Sequence, residues 1–352
     1  MSHRGQTSRR VSRREWFLRV GWSAMALGMA YGEAASALSK TQPQKENAME
    51  GRIPLLLDTD IGSDIDDAVA LAYLLCHPRC ELLGITTVTG EADKRASLAD
   101  AICRAAGRNE VPIHVGAHLP FLGSQHQPEA PQAEALSRWP HRSFSRENTA
   151  VAFLRETIRK HPGEITLLTI GPLTNIALLF ALDPEVPAML KQLVMMGGRF
   201  FPDEQGRIGA EWNIVCDAWS AARVFASPVP RLLAIGLDVT LRCRMSAAEC
   251  KQRFHAVGGP LKPVADMAEV WFRHADSITF HDPLAAAVVF EPTLCRFEPA
   301  DYVKVKLGSD DSFGETSIKP SGLNSPIQVA ADVNPDAFFA HYFDVVAHYR
   351  HS

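Results

Sequence analysis

The 352-residue chain has no run of apolar residues approaching the roughly eighteen that a bilayer-spanning helix needs, which argues against a permanent membrane anchor. It also has no surplus of positive charge. The formal net charge is −4, and a chain without a basic balance is a poor candidate for holding nucleic acid through its phosphates. The seven cysteines (Cys76, Cys80, Cys103, Cys216, Cys243, Cys250 and Cys295) include no CxxC pair and no Cys/His cluster at zinc-finger spacing. Neither a disulfide framework nor a structural zinc site is therefore indicated. Several of them sit in apolar runs, where a buried free thiol is the expectation. No internal repeat is evident. With 46% hydrophobic and 22% charged residues, the composition is that of a globular protein with enough apolar material for one large core.

The charge is unevenly placed. The first 37 residues hold six arginines (Arg4, Arg9, Arg10, Arg13, Arg14 and Arg19) against Glu15 and Glu33, a local +4 that leaves −8 for the rest. Ser12-Arg13-Arg14-Glu15-Trp16-Phe17-Leu18 precedes a weakly apolar, small-residue stretch over residues 20–32. Ala35-Ser36-Ala37 then has the small-x-small form of a cleavage site. That order resembles a twin-arginine export signal over residues 1–37 and predicts a periplasmic or secreted protein. Residues 38–52 read as a polar linker.

From residue 53 onward short apolar runs alternate with longer segments of helical period, the sequence signature of βαβ units. Strands are expected over 53–57, 82–88, 111–115, 165–170, 192–196 and 232–235, all brief and apolar, as in a parallel sheet covered on both faces. Helices are expected over 66–76, 94–106, 149–160, 174–182 and 218–226. The alternation predicts an α/β fold with a mostly parallel, doubly wound sheet. The last third adds a helical stretch over 246–277, another helix after Pro283, strands over 302–307 and 327–331, and a C-terminal helix. No Pro/Gly/Ser-rich linker sets it apart, so residues 53–352 read as a single elaborated domain. Residues 116–146, rich in Pro, Gln and His, form a long connection without clear period, and connections of that length tend to be functional.

The densest chemistry is Asp58-Thr59-Asp60-Ile61-Gly62-Ser63-Asp64-Ile65-Asp66-Asp67, five carboxylates at the carboxyl end of a buried strand and the start of a helix. Ligands bind at that edge of open α/β sheets. So many like charges raise one another's pKa unless a cation sits among them, and hard oxygen donors suit Ca²⁺ or Mg²⁺, flexible carboxylate cages favouring Ca²⁺. An EF-hand loop counted from Asp58 would need Gly and Glu where Ser63 and Val69 stand, so that reading fails. A haloacid-dehalogenase-like Mg²⁺-dependent phosphohydrolase, with Asp58 as nucleophile, also begins with a strand and DxD. It leaves the Asp66-Asp67 pair unexplained.

Three more strand ends carry polar motifs. Gly171-Pro172-Leu173-Thr174-Asn175 opens a helix, Glu211-Trp212-Asn213 lies in a loop after Met196-Gly197-Gly198, and His281-Asp282-Pro283 reads equally as ordinary helix-start chemistry. In order and spacing, the DxD…DD opening, GPLTN, MGG, the E-W-N triplet and the late HDP resemble the inosine-uridine nucleoside hydrolase family from Ile53 to the C-terminus.

The resemblance implies an α/β enzyme that hydrolyses the N-glycosidic bond of ribonucleosides to free base and ribose for salvage, with tightly held Ca²⁺. It makes Asp60, Asp67, Asp282 and the backbone carbonyl of Ile170 the metal ligands, and Asp60 the general base toward a calcium-bound water. It makes Asp66, Glu211 and Asn213 partners of the ribose hydroxyls, His281 the general acid toward the leaving base, and Asp58 a support behind the ligands. Trp271, Phe272 and His274 fall where family members place a mobile helix over the base. It further implies a homodimer or homotetramer. Three departures stand out. Asp64 is a surplus carboxylate in a loop two residues longer than the shortest family form. Glu91 occupies the position of a ribose-contacting Asn, and a carboxylate accepts but cannot donate as an amide does. Residues 116–146 lack the family's His-Gly pattern despite His118, His126 and His141. A periplasmic nucleoside- or sugar-binding protein that keeps the pocket without turnover is the non-enzymatic alternative.

Overall fold

The computed structural model of the chain describes residues 51–349 except 203–205, 207, 309–311 and 323–324; the export signal over 1–37 and all but two residues of the linker lie outside the described residues. In chain order the first half comprises β1 (Ile53–Thr59), α1 (Asp66–Cys76), β2 (Cys80–Thr87), α2 (Ala92–Ala105), β3 (Ile113–Val115), α3 (Ala150–Lys160), β4 (Thr166–Thr169), α4 (Thr174–Leu182), α5 (Val186–Met189) and β5 (Gln192–Met196). The second half comprises α6 (Trp212–Cys216), α7 (Ala218–Phe225), β6 (Leu232–Ile235), α8 (Leu237–Thr240), β7 (Arg244–Ser246), α9 (Ala247–Val257), α10 (Leu261–Trp271), β8 (Ser277–Thr279), α11 (His281–Phe290), β9 (Cys295–Val305), β10 (Thr316–Pro320), β11 (Ile327–Val333) and α12 (Pro335–Ala347).

Nine strands form one sheet in the order β10-β9-β11-β6-β5-β4-β1-β2-β3. The run from β3 to β11 is parallel throughout, and β9 and β10 close one edge as antiparallel additions. The order 3-2-1-4-5-6 reverses between β1 and β4, and the connections leave that point to opposite faces of the sheet. Strand alternation divides the core accordingly. Leu55 and Leu57 pack with the helices α1, α2, α10, α11 and α12, whereas Leu56 packs with α3, α4 and α7. All three leucines are fully buried, and each contributes about 1.5–3 kcal/mol through burial. Helices α1 and α11 touch each other, and apart from Cys76 and His281 at their ends every residue in them is buried. Both begin at the carboxyl edge of the sheet, where buried Asp66, Asp67 and Asp282 occupy their first turns.

The expected α/β doubly wound sheet is therefore what forms, with three differences of detail. The helical stretch over 246–277 is two helices, because Gly258 (φ +69°) and Gly259 (φ +54°) take left-handed backbone ahead of Pro260, and its flanks pair as the short β7–β8 ribbon. The strand expected over 302–307 is the end of the eleven-residue β9, whose partner β10 carries too weak an apolar pattern to be read in advance. The E-W-N triplet starts α6 rather than lying in a loop, with Glu211 capping it.

Candidate active site

The loop after β1 meets the ends of β4 and β5 and the start of α11 around a cavity of about 730 Å³ at the switch point of the sheet. Asp60, Asp66, Asp67, Asp282, the Ile170 segment, Glu211, Asn213, His281 and Trp271 all line it, as does the surplus Asp64. Asp58 does not; it lies fully buried beneath the floor. Its Oδ1 accepts from Thr86 Oγ1 at 2.5 Å and from Asn175 Nδ2 at 2.7 Å, which explains the GPLTN segment: Asn175 ties the start of α4 to β1. A side chain so enclosed cannot serve as the exposed nucleophile that a phosphohydrolase reading requires.

Carboxylate oxygens of Asp66, Asp67 and Asp282 come within 4.8 Å of one another. Thr59 Oγ1 donates to Asp67 Oδ1 at 2.5 Å, and the Asp282 backbone N–H donates to Asp66 Oδ2 at 3.1 Å, locking the starts of α1 and α11 together. Asp282 is thus no helix cap: Phe280 holds that position and the Asp282 carboxylate is left to face the cluster. Asp60 hydrogen-bonds the Asp67 carboxyl and accepts from Gln127 Nε2 at 2.5 Å. Asp66 therefore stands with the converging carboxylates, where the resemblance implied a sugar contact.

Burial is the main force on these groups. It pushes Asp58 and Asp66 up to about 7 and raises Asp60, and with repulsion from neighbouring aspartates it holds Asp67 and Asp282 well above the ordinary carboxylate range. Asp64 is raised likewise by burial and by Asp66, while His281 opposes the shift. The buried Arg95 is close, but its guanidinium donates to the carbonyls of Thr89, Asp60, Ile61 and Glu129 rather than to the carboxylates. Several desolvated acids facing one another, answered only in part by the Arg95 charge on Asp60 and Asp67, make a donor set that suits a hard divalent cation.

Opposite them stand the sugar-sized polar groups. Glu211 accepts from Gly198, Asn213 and Ile214 N–H groups at 2.8–3.1 Å, and burial still lifts it to about 7 against those bonds. Asn213 Nδ2 donates to the Ile170 carbonyl at 3.0 Å, leaving that oxygen a second lone pair. His281 Nδ1 pairs with Thr240 Oγ1 at 2.7 Å; burial lowers its pKa and the Asp64 charge opposes the drop. Trp271 donates its indole N–H to Ser277 O at 2.9 Å and lines the cavity.

Two expected contacts are not made. Glu91 precedes α2 and turns away: its carboxylate accepts from Lys94 Nζ at 2.5 Å and from the Ala130 N–H at 3.1 Å, outside the cavity. The left-handed backbone at Thr89 (φ +61°) and Gly90 (φ +37°) sets that direction. His274 lies exposed beyond the end of α10, in an adjoining hollow, and the half-buried Phe272 packs beside the core. Conversely Gln127, Met196 and Leu237 line the cavity unforeseen. For Gln127 the sole advance signal was the length of the aperiodic connection that carries it.

A family model described as inosine-uridine preferring nucleoside hydrolase matches residues 55–340. The chain is 32% identical over 314 residues to the non-specific ribonucleoside hydrolase RihC of Escherichia coli, covering 84% of this chain and 99% of that protein. It is 30% identical over 259 residues to uridine nucleosidase 1 of Arabidopsis thaliana, 69% of this chain and 76% of the relative. Among solved structures, the purine-preferring ribonucleoside hydrolase from Gardnerella vaginalis superposes with a TM-score of 0.71 at 26% identity, covering 84% of this chain and 98% of that one.

Proposed function

The chain belongs to the inosine-uridine preferring nucleoside hydrolase family and hydrolyses the N-glycosidic bond of ribonucleosides, and from that premise we propose how its residues divide the work. Asp60, Asp66, Asp67 and Asp282, with the Ile170 carbonyl, would hold a calcium ion. When bound, that cation supplies the charge that lowers the pKa of a water and draws ribose hydroxyls into place. The observation that carries this reading is the convergence of the buried Asp66, Asp67 and Asp282 carboxylates, with Asp60 beside them, in the cavity at the switch point of the sheet.

Asp60 accepts the proton of the attacking water. Asp66, Glu211 and Asn213 grip the ribose hydroxyls and hold C1′ toward that water. Bond breaking leaves oxocarbenium character on the sugar, which the surrounding carboxylates stabilise. His281, oriented through Thr240, gives a proton to the departing base, and Trp271 offers it an aromatic contact. Asp58 holds the strand end from beneath through Thr86 and Asn175.

The test is ribose release from inosine, uridine, cytidine, adenosine and guanosine, with calcium and after exhaustive chelation. Release that chelation abolishes and calcium restores is expected; chelator-insensitive release would remove the metal. Tight nucleoside binding without release would identify a binding protein instead.

Two further proposals concern the whole chain. Residues 1–37 direct export by the twin-arginine route to the periplasm or beyond; Arg13 and Arg14 ahead of the small-residue stretch support this, and all seven cysteines are free thiols, in keeping with folding before export. Replacing both arginines by lysine should retain the protein in the cytoplasmic fraction, and unchanged export would refute the signal. The exposed apolar run at Leu119, Phe121 and Leu122 supports a homodimer or homotetramer, which light scattering on the purified protein decides.

A further inference from the structure

The connection between β3 and α3 reaches across the cavity and sets Gln127 against Asp60. Gln127 Nε2 donates to Asp60 Oδ2 at 2.5 Å, and its Oε1 accepts the Trp212 indole N–H at 2.6 Å. The side chain is 8% exposed, so the amide is engaged at both ends out of water. Its orientation is forced by its partners: an indole nitrogen only donates and a carboxylate only accepts, so the oxygen must face Trp212 and the NH₂ must face Asp60.

The backbone behind this contact is fixed as well. Gln127 N–H donates to Gln125 Oε1 at 2.8 Å, Thr89 Oγ1 donates to the same oxygen at 3.1 Å, and Gln125 Nε2 donates to His118 O at 2.6 Å. Thr89 holds a left-handed φ of +61°, uncommon for a β-branched residue and found where surrounding structure over-determines the backbone. At Gly90 a Cβ would stand 2.2 Å from the Gln127 carbonyl oxygen, so only glycine lets the connection come this close to β2. On the far side of Asp60, a Cβ at Gly171 would stand 2.6 Å from Oδ1. Arg95 grips the Asp60 carbonyl from below. The two carboxylate oxygens of Asp60 thus meet different surroundings: Oδ2 is taken by Gln127, and Oδ1 faces the glycine at the end of β4.

We infer that Gln127 is a positioning residue for Asp60, an amide strut braced on Trp212 that fixes the plane of the carboxylate and leaves Oδ1 as the oxygen free of it. The inference rests on the reading of Asp60 as base and cation ligand given above. With both ends of its amide engaged, Gln127 acts through Asp60 rather than on the sugar, and its loss lets the carboxylate rotate. Groups that orient a ligand or a base from behind are worth about 10- to 100-fold in metal affinity or activity when removed.

The test uses the full-length processed protein and two substitutions, Gln127→Leu, which keeps the bulk, and Gln127→Glu, which keeps the shape and the acceptor toward Trp212 but removes the donor. Steady-state kinetics on the best ribonucleoside and calorimetric titration with calcium alone are the readouts. Expected are a kcat about 10- to 100-fold lower with KM within threefold, and a calcium Kd about 10-fold higher, with Gln127→Glu at least as damaged as Gln127→Leu. In an Asp60→Asn background, Gln127→Leu should leave the calcium Kd unchanged. Wild-type kcat and calcium affinity in both variants would overturn the inference while leaving Asp60 in place. A raised KM at unchanged kcat would overturn it too, by assigning Gln127 to the substrate. If Asp60→Asn alone retains wild-type kcat, the reading of Asp60 fails first.

Discussion

Asp100 and Asp183 expose as little area as the aspartates around the cavity, but they lie near the periphery within reach of arginines, and the two groups are treated in opposite ways. Burial pushes Asp100 up, but Arg104 Nε at 2.6 Å and Arg142 Nε at 2.7 Å outweigh it and hold the carboxyl below its ordinary range. Asp183 is held lower still by Arg159, joined by Arg155, each with Nε at 2.6 Å. At the cavity burial raises Asp60, Asp66, Asp67 and Asp282, the last three also repelled by neighbouring aspartates, and the Arg95 charge offsets only part of this at Asp60 and Asp67. A small exposed area therefore does not tell the two groups apart; depth and partners do. A fold that fully answers acids with arginine at its periphery, and at its sheet edge sets the single charge of Arg95 against several carboxylates, keeps those acids for a ligand it does not carry itself.

The sharpest way to break this contrast is to neutralise one cavity acid. Asp67→Asn should lower kcat by about 10³-fold or more, the scale of losing a central electrostatic group. In chelator above pH 7, however, the same variant should melt higher than the parent, because it removes a charge held against burial and repulsion. A lower melting temperature would show that the cluster is internally stabilised. Calcium sharpens the contrast next. At about a hundred times its Kd it should add about 2.7 kcal/mol and raise the melting temperature by about 5–10 °C, and it should do nothing for Asp67→Asn.

Smaller effects separate the proton donor from its neighbours. His281→Ala should slow nucleosides with poorly leaving bases by about 10²-fold or more, and p-nitrophenyl riboside, which leaves unprotonated, far less. Equal losses on both would remove His281 from the acid role. The smallest effect lies at the periphery. A carboxyl held low in the folded state stabilises it above its unfolded pKa, near 3.8, and that contribution is lost as pH falls through the folded value. Asp183→Asn should accordingly lower the melting temperature by a few degrees at pH 7 and flatten its decline below pH 4, with kcat untouched. The raised cavity acids have the opposite sign: without calcium their contribution is fullest at low pH and is lost as pH rises toward 7.

Much of this was legible beforehand because it is local. The alternation of apolar runs and helical periods announces a doubly wound sheet, and the aspartate cluster announces a cation at a strand end, since β1, the loop and the first turn of α1 are consecutive in the chain. By residue type alone HDP read as an ordinary helix start, and only the family resemblance made Asp282 a ligand; that Asp282 donates its N–H to Asp66, 216 residues away, depends on two buried helices packing side by side. Glu91 shows the converse. Its position in the sequence pointed into the cavity, and the left-handed turn at Thr89 and Gly90 points it out.

By itself, then, the sequence determined the strand-end carboxylates, the buried α/β core and the polar triplets, because each follows from residue type and spacing within one element. Only the tertiary structure decided which carboxylates converge, that Asp58 lies beneath the floor rather than in the cavity, and that Gln127 braces Asp60. Those outcomes turn on the parallel register of β1 and β4, on helix packing and on the path of a long aperiodic connection, where contacts between residues far apart in the chain outweigh any local preference.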